Sequence, residues 1–266
     1  YHCHLSEYQI LEDQVFDNLF DLWLAGDHYK WRLMRNAGID ERLITGDAPK
    51  YEKFVAYCKV LSTAFGNPLY HWSQVELLEF FGCELEINEK NAEAIWEHCN
   101  AYIKEHHLTP TKLIAQSNVL CLFTTNEIFD DLEVFKQIKA KQLPFSVLPA
   151  FRADKIMNIE AERYLEFVGK LGTITSLDAL ETAIAKRLEA FIEVGCVASD
   201  TALQRVYPIA SKEKAATIFH KRLQGTPLSE DEVFVFKGYL TYFLLKLYAK
   251  YGIRSELHIG AMRNNN

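Results

Sequence analysis

Residues 119–151 read VLCLFTTNEIFDDLEVFKQIKAKQLPFSVLPAF, and the order of their segments decides the fold class. VLCLFTT (119–125) and FSVLPAF (145–151) are nearly continuous apolar runs of strand length, and residues 130–141 between them read as a helix. A strand covered by helices on both faces shows such a run rather than strict alternation. Working outward, the same rhythm continues. Helices are expected at 159–171 and 176–194, a short run GCVAS at 195–199, helices at 211–223 and 229–251, and a fourth run at 253–261. Buried strands alternating with long helices describe an α/β protein whose parallel sheet is built from βα units.

Upstream the pattern differs. Residues 1–4 are extended, and residues 5–118 read as a block of helices whose boundaries are approximate. Helical stretches are expected at 18–24, 50–65, 73–81 and 88–107, with Gly66 and Gly82 as stops. Asp27 is placed to cap a further helix that runs through Trp31 and Met34 to Gly38. Counting residues 1–4, five strands are expected. The first opens on a polar strand end, and the last leads into Asn264-Asn265-Asn266. A sheet cut at that point would expose unpaired backbone groups, so the sequence reads as a piece of a longer (β/α)8 chain.

Composition narrows the function classes. The 266 residues carry 29 Lys+Arg against 36 Asp+Glu, a net charge of −7, without a basic run. This argues against nucleic acid or an anionic membrane surface as the main partner. No apolar stretch approaches the roughly 18 residues of a membrane span. Hydrophobic residues make up 49%, enough for a sizeable core. The six cysteines (Cys3, Cys58, Cys83, Cys99, Cys121, Cys196) show no CxxC spacing, which removes zinc-ribbon and thioredoxin-like readings. They are expected as free thiols in a reducing cytoplasm. Serine-elbow, P-loop and dinucleotide fingerprints are absent from the sequence.

Several residues could carry chemistry. His2 and His4 flank Cys3, and side chains two apart on a strand share a face, so both imidazoles can converge on one metal ion. His258, in the last apolar run, is the natural third ligand, and three nitrogens with an oxygen donor suit zinc or a similar divalent ion. The competing reading is two solvated histidines. Asp27-His28-Tyr29-Lys30-Trp31-Arg32 opens a helix with His28, Trp31 and Arg32 on one side. It reads either as an ordinary amphipathic helix or as a proton-transfer group beside a bound anion. Arg152, just past a strand, could fork onto a substrate carboxylate or pair with Asp154 on the rim. His71 and Trp72 read as packing between helices. Ser199-Asp200 and Thr124-Thr125-Asn126 read as strand ends placed for polar contacts.

Taken together, these motifs resemble the uronate (glucuronate) isomerase family. The resemblance rests on His2-Cys3-His4-Leu5, Asp27-His28-Tyr29-Lys30-Trp31-Arg32, Ile44-Thr45-Gly46-Asp47, Gly66-Asn67-Pro68-Leu69-Tyr70-His71-Trp72, Phe151-Arg152 with Asp154-Lys155, and Leu257-His258-Ile259-Gly260-Ala261 with Arg263-Asn264-Asn265-Asn266. They occur in family order and spacing from Tyr1 to Asn266.

The resemblance implies a (β/α)8 barrel of the amidohydrolase superfamily, with residues 1–4 as a shortened first strand, 5–118 as an all-helical insert, and 119–266 as strands two to five. It implies interconversion of D-glucuronate with D-fructuronate, and of D-galacturonate with D-tagaturonate, through an enediol. His2, His4 and His258 become metal ligands, zinc being the leading ion, with a further Asp expected past residue 266. His28, Tyr29 and Arg152 become catalytic, and Arg32, Trp31 and Arg263 substrate-binding. The implied partner is a small uronate, and a homo-oligomer is the candidate assembly. Two departures stand out. Val197 and Thr201-Ala202 flank Ser199-Asp200 where the family has Arg and His-Gly, and Asn126-Glu127-Ile128 stands for Asp-Asp-Pro. The alternatives are a metal-dependent hydrolase acting on another sugar acid, or an inactive half-barrel.

Overall fold

The computed structural model describes residues 1–260, so the expected roles of Arg263 and of the asparagines after it lie outside the described residues. The chain divides into two compact units. Among the described residues, one comprises residues 1–11 and 119–260, the other Glu12–Asn118.

In the first unit the described residues form a sheet of four parallel strands: β1 (Cys121–Glu127), β2 (Ser146–Arg152), β3 (Ala198–Leu203) and β4 (Arg254–Ile259), in that spatial order. Helix Glu133–Ala140 connects β1 to β2, helix Leu177–Glu193 leads to β3, and helices Lys212–Leu223 and Glu230–Tyr251 lead to β4. Local chemistry sets the helix starts. Ser176, Ser211 and Ser229 each accept an N–H of the first turn, and Glu232 completes a capping box with Ser229. Phe151 shows why the strands read as apolar. Its ring is fully buried and meets the edges of Phe191 and Tyr248 at 5.0 and 6.0 Å between centroids. Burying a side chain of this size contributes about 2–3 kcal/mol.

Some expectations need correction. The run at 195–199 holds only the start of the third strand. Gly195 has φ 102°, and the Cys196 N–H donates to the Phe191 carbonyl, so both belong to the end of the preceding helix. β3 therefore starts at Ala198, and Ser199-Asp200 lies inside the strand rather than at its end. Likewise β1 runs on to Glu127, so Thr124, Thr125 and Asn126 are strand residues. The helix expected at 159–171 is shorter, Tyr164–Gly169, and a separate short helix, Asp154–Met157, precedes it and ends where Asn158 leaves the helical conformation. Residues 1–4 do not form a regular strand. They join β1 by one parallel bridge, His2 beside Phe123, with the Cys3 N–H donating to the Phe123 carbonyl at 2.9 Å.

The second unit is helical. Its helices are Leu19–Trp23, His28–Asn36, Lys50–Leu61, Pro68–Phe81, Ala92–His106 and Pro110–Gln116. They enclose a core that includes Leu19, Phe54, Tyr57, Leu61, Leu77, Ile95, Cys99 and Ile103. The fourth begins five residues earlier than expected at 73, because Asn67 caps it and Pro68 takes its first turn, where a missing N–H costs nothing. It ends at Gly82, whose φ of 59° suits glycine. All six cysteines are free, and Cys58, Cys83, Cys99 and Cys196 are buried. Among the described residues, no helix is long and apolar enough to cross a membrane.

Candidate metal and active site

The sheet unit gathers its polar side chains near the C-terminal ends of the strands. Thr125 and Glu127 of β1, Arg152 of β2, Asp200 of β3, and Glu256 and His258 of β4 are spaced by two within each strand, which places them on one face. Register brings them level: Glu127 pairs with Arg152, Asp200 with Glu256, and Ala202 with His258. His2 joins them through its bridge to β1.

Asp200 is the centre of this group and is fully buried. Its Oδ2 accepts from Thr125 Oγ1 and from Arg152 Nη1, both at 3.2 Å, and lies 3.6 Å from His2 Nε2. Its Oδ1 lies 3.0 Å from His258 Nε2, yet among the described residues neither atom makes a hydrogen bond. His2 Nδ1 is likewise buried without a hydrogen-bond partner. Glu256 stands beside both histidines, 3.9 Å from His2 Nδ1 and 3.5 Å from His258 Nε2. His2 and His4 rings meet edge to face at 5.4 Å, and His2 and His258 at 5.9 Å.

Buried polar atoms are normally satisfied, so three orphans in one cluster call for a shared partner. A cation answers that description, since carboxylate oxygens and unprotonated imidazole nitrogens are its usual donors. The ligand atoms of His2, His4 and Asp200 lie within 4.8 Å of one another, and so do those of His2, Glu256 and His258. These residues fit a divalent ion.

Arg152 reaches two carboxylates rather than one. Its Nε donates to Asp154 Oδ2 at 2.8 Å, Nη2 lies 2.6 Å from the same oxygen, and Nη1 reaches Asp200. Asp154 also accepts the Ala202 N–H at 3.2 Å, which ties the start of its short helix to β3. Desolvation works against the guanidinium charge, but Asp154 and Asp200 overcome it and hold Arg152 above its ordinary pKa. Burial also wins at Asp154, whose carboxyl is held above its usual range despite that neighbour. Glu127, at the end of β1, is pushed up to about 7, first by desolvation and against the pull of Lys155 3.7 Å away. Its Oε2 is buried without a hydrogen bond among the described residues.

In the helical unit the Asp27–Arg32 motif splits by role. Asp27 Oδ1 caps the helix by accepting from the Tyr29 and Lys30 N–H groups at 3.0 and 3.1 Å. Lys30 is buried, and the Trp31 indole N–H donates to the Leu24 carbonyl at 2.6 Å. His28 and Tyr29 are exposed, with rings 4.3 Å apart. Tyr29 and Arg32 line an open cleft of roughly 450 Å³ with Asn67, Pro68, Leu69 and Trp72. Two motifs distant in sequence thus share one surface. His71 and Trp72, expected as packing between helices, stand exposed, because the buried face of their helix is carried by Ser73, Leu77 and Phe81.

Reading the sequence assigned Glu256 and Glu127 no role, and it placed Asp200 at a strand end for polar contacts without making it the centre of the site. For Glu256 a signal existed: it lies two residues before His258 in a strand, on the same face.

Comparison with known proteins agrees with this picture. The glucuronate isomerase family profile matches residues 1–266. The uronate isomerase of Caldanaerobacter subterraneus subsp. tengcongensis is 46% identical over 100% of this chain and 59% of its own length. That of Clostridium acetobutylicum is 45% identical over 100% of this chain and 58% of its own. The crystal structure of uronate isomerase from Thermotoga maritima superposes with a TM-score of 0.94 at 33% identity, covering 99% of this chain and 59% of that one. The chain thus spans somewhat under two thirds of the length of the relatives it matches. On the profile and on identities of this size across its whole length, it belongs to the uronate (glucuronate) isomerase family.

Proposed function

We propose that this protein interconverts open-chain aldo- and keto-uronates, D-glucuronate with D-fructuronate and D-galacturonate with D-tagaturonate. The observation that carries the reading is the cluster of His2, His258, Asp200 and Arg152 at the C-terminal ends of parallel strands, in a chain of this family. Barrel enzymes hold their sites at that end, and four parallel strands in sequential order, joined by helices, support a (β/α)8 barrel, with residues 5–118 as a helical insert after the first strand.

The reaction moves a proton from C2 to C1. The C1 carbonyl becomes a hydroxyl, the C2 hydroxyl becomes a carbonyl, and an enediol lies between. His28 and Tyr29 are the proton-handling pair of the motif, since both side chains are exposed while Lys30 and Trp31 N–H are committed to the fold. Arg152 supplies a cation for the substrate carboxylate. Asp154 and Asp200 fix its guanidinium plane, and that orientation matters for a forked contact. By the family resemblance Arg32, Trp31 and Arg263 are assigned to the remainder of the sugar acid, Arg263 lying outside the described residues.

His2, His4 and His258 are the proposed ligands of a divalent ion, zinc being the leading choice for this nitrogen-rich set, and two groups that share His2 support it, one with His4 and Asp200, the other with His258 and Glu256. Such an ion supplies positive charge to the oxygens on which the enediolate develops. A reducing cytoplasm suits the six free thiols.

Proton NMR of D-glucuronate in heavy water with the full gene product tests the reading. Fructuronate should appear with deuterium entering at C1. Folded, metal-loaded protein that converts neither glucuronate nor galacturonate would overturn it.

A further inference from the structure

We propose that Glu256 is itself a ligand of the divalent ion, binding it together with His2 Nδ1 and His258 Nε2. The inference rests on the reading that this site holds a metal, and it assigns a donor that the histidine motifs do not announce. Strand geometry gives the first argument. Glu256 and His258 are two apart on β4 and share the face that carries the cluster, and Glu256 pairs in register with the buried Asp200.

The second argument concerns which side of the His2 ring an ion occupies. The two ring nitrogens point away from each other, so a single ion uses one of them. Nε2 already has Thr125 Oγ1 at 3.4 Å and Asp200 at 3.6 Å. Nδ1 is buried without a hydrogen bond, and the group it faces is the Glu256 carboxylate. His258 Nε2 has no hydrogen bond either, and lies between Glu256 and the unsatisfied Oδ1 of Asp200.

Spacing is the third argument. Two donors at about 2.1 Å from a tetrahedral zinc stand about 3.4 Å apart. The separations of Glu256 from His258 and His2, 3.5 and 3.9 Å, are too long for hydrogen bonds and close to that ligand spacing. The fully buried Asp200 supplies a further unsatisfied oxygen from the other side.

The test uses the full gene product, stripped of metal by a chelator and reloaded with zinc or cobalt(II). In Glu256→Gln, zinc affinity measured by competition with a chromophoric chelator should fall by about 100-fold or more, beyond the 10–100-fold typical of a group that only orients a ligand. The visible absorption of the cobalt form should change in position and intensity, which loss of an outer hydrogen bond would not produce. Circular dichroism of the metal-free forms checks that the variant folds. An affinity within threefold of the parent, or superimposable cobalt spectra, would overturn the assignment, as would a parent protein that binds no zinc. Turnover of glucuronate by the parent is measured alongside. If the parent binds zinc and Glu256→Gln does not, while the parent isomerises no uronate, the functional reading fails and the ligand assignment stands.

Discussion

The two units treat buried polar groups in opposite ways. In the helical unit, Lys30 is enclosed by Asp27 at 3.6 Å and Glu76 at 3.8 Å, with its ammonium over the faces of Trp23 and Tyr57. Every one of these contacts serves the fold. In the sheet unit, Asp200, His258 and His2 are just as close together, yet each keeps an atom without a hydrogen bond. Burying unsatisfied polar atoms costs about 1–3 kcal/mol each, so a fold selected for stability alone would not collect three of them. On the proposed reading, the difference separates polar groups that stabilise from polar groups that bind a ligand.

The largest expected effect breaks the comparison on the sheet side. Asp200→Asn keeps the shape but removes the charge that Arg152 and the two histidines face. On the isomerase reading, turnover should fall by about 10³-fold, as for loss of a preorganised charge in a water-excluded site. Steady-state kinetics that moved less than tenfold would mean that Asp200 belongs with Lys30 among the structural groups. Conversely, Lys30→Ala should lower stability by about 2–3 kcal/mol, below the full value for a broken buried pair because both carboxylates are about a third exposed. Lys30→Met, which keeps the apolar stem, should lose less. Urea titrations read both.

Glu127 sharpens the comparison by pH. Its carboxyl is raised from 4.5 to about 7 by burial, so between those values the folded chain holds a proton that the unfolded chain releases. The folded state then binds more protons, and stability falls as pH rises through the window. The penalty is absent below about pH 4.5 and complete above about pH 7, where it amounts to about 3 kcal/mol. Glu127→Gln should therefore raise the melting temperature at pH 8 and leave it nearly unchanged at pH 4.5. An equal gain at both pH values would show that the effect is packing rather than charge.

What could be read from the sequence follows the same division. The βα rhythm was legible because apolar runs and helical amphipathicity are local signals, and the buried rings of Phe151, Phe191 and Tyr248 bear them out. The helical block was legible through its ends, as at the Asp27 cap and the Gly82 stop, although the start at Asn67-Pro68 was not. The edge of β3 was not, since GCVAS is apolar but Gly195 and Cys196 close a helix, and that is settled by a backbone hydrogen bond to Phe191. Asp200 was legible as a polar strand residue, but not as the one on which Arg152, Thr125 and His258 converge. Convergence of strands is a long-range property that no local pattern encodes. Nor does the sequence show that Arg152 is shared between Asp154 and Asp200, because that depends on β2 and β3 lying side by side.

The smallest effects come from adjacent residues of one motif, and they test whether the two roles can be separated within a single turn. Asp27 is a helix cap whose carboxylate accepts two backbone N–H groups. Replacing it by Ala should cost about 1 kcal/mol of stability, plus whatever Lys30 loses with one of its two carboxylates. His28 is exposed, and its ring contacts Tyr29 alone among the aromatic pairs of the described residues. His28→Ala should leave stability within about 0.5 kcal/mol, as for a surface substitution away from caps and cores. If His28 handles the proton, the same change should lower turnover by about 10²–10⁴-fold. Thermal melts and initial rates on the two variants give four numbers. A pattern in which Asp27→Ala moves the melt and His28→Ala moves the rate assigns cap and chemistry to neighbouring positions. Were His28→Ala to move the melt and spare the rate, the histidine would join Asp27 and Lys30 as part of the scaffold, and the proton-handling role would fall to Tyr29 or to the carboxylates of the sheet unit.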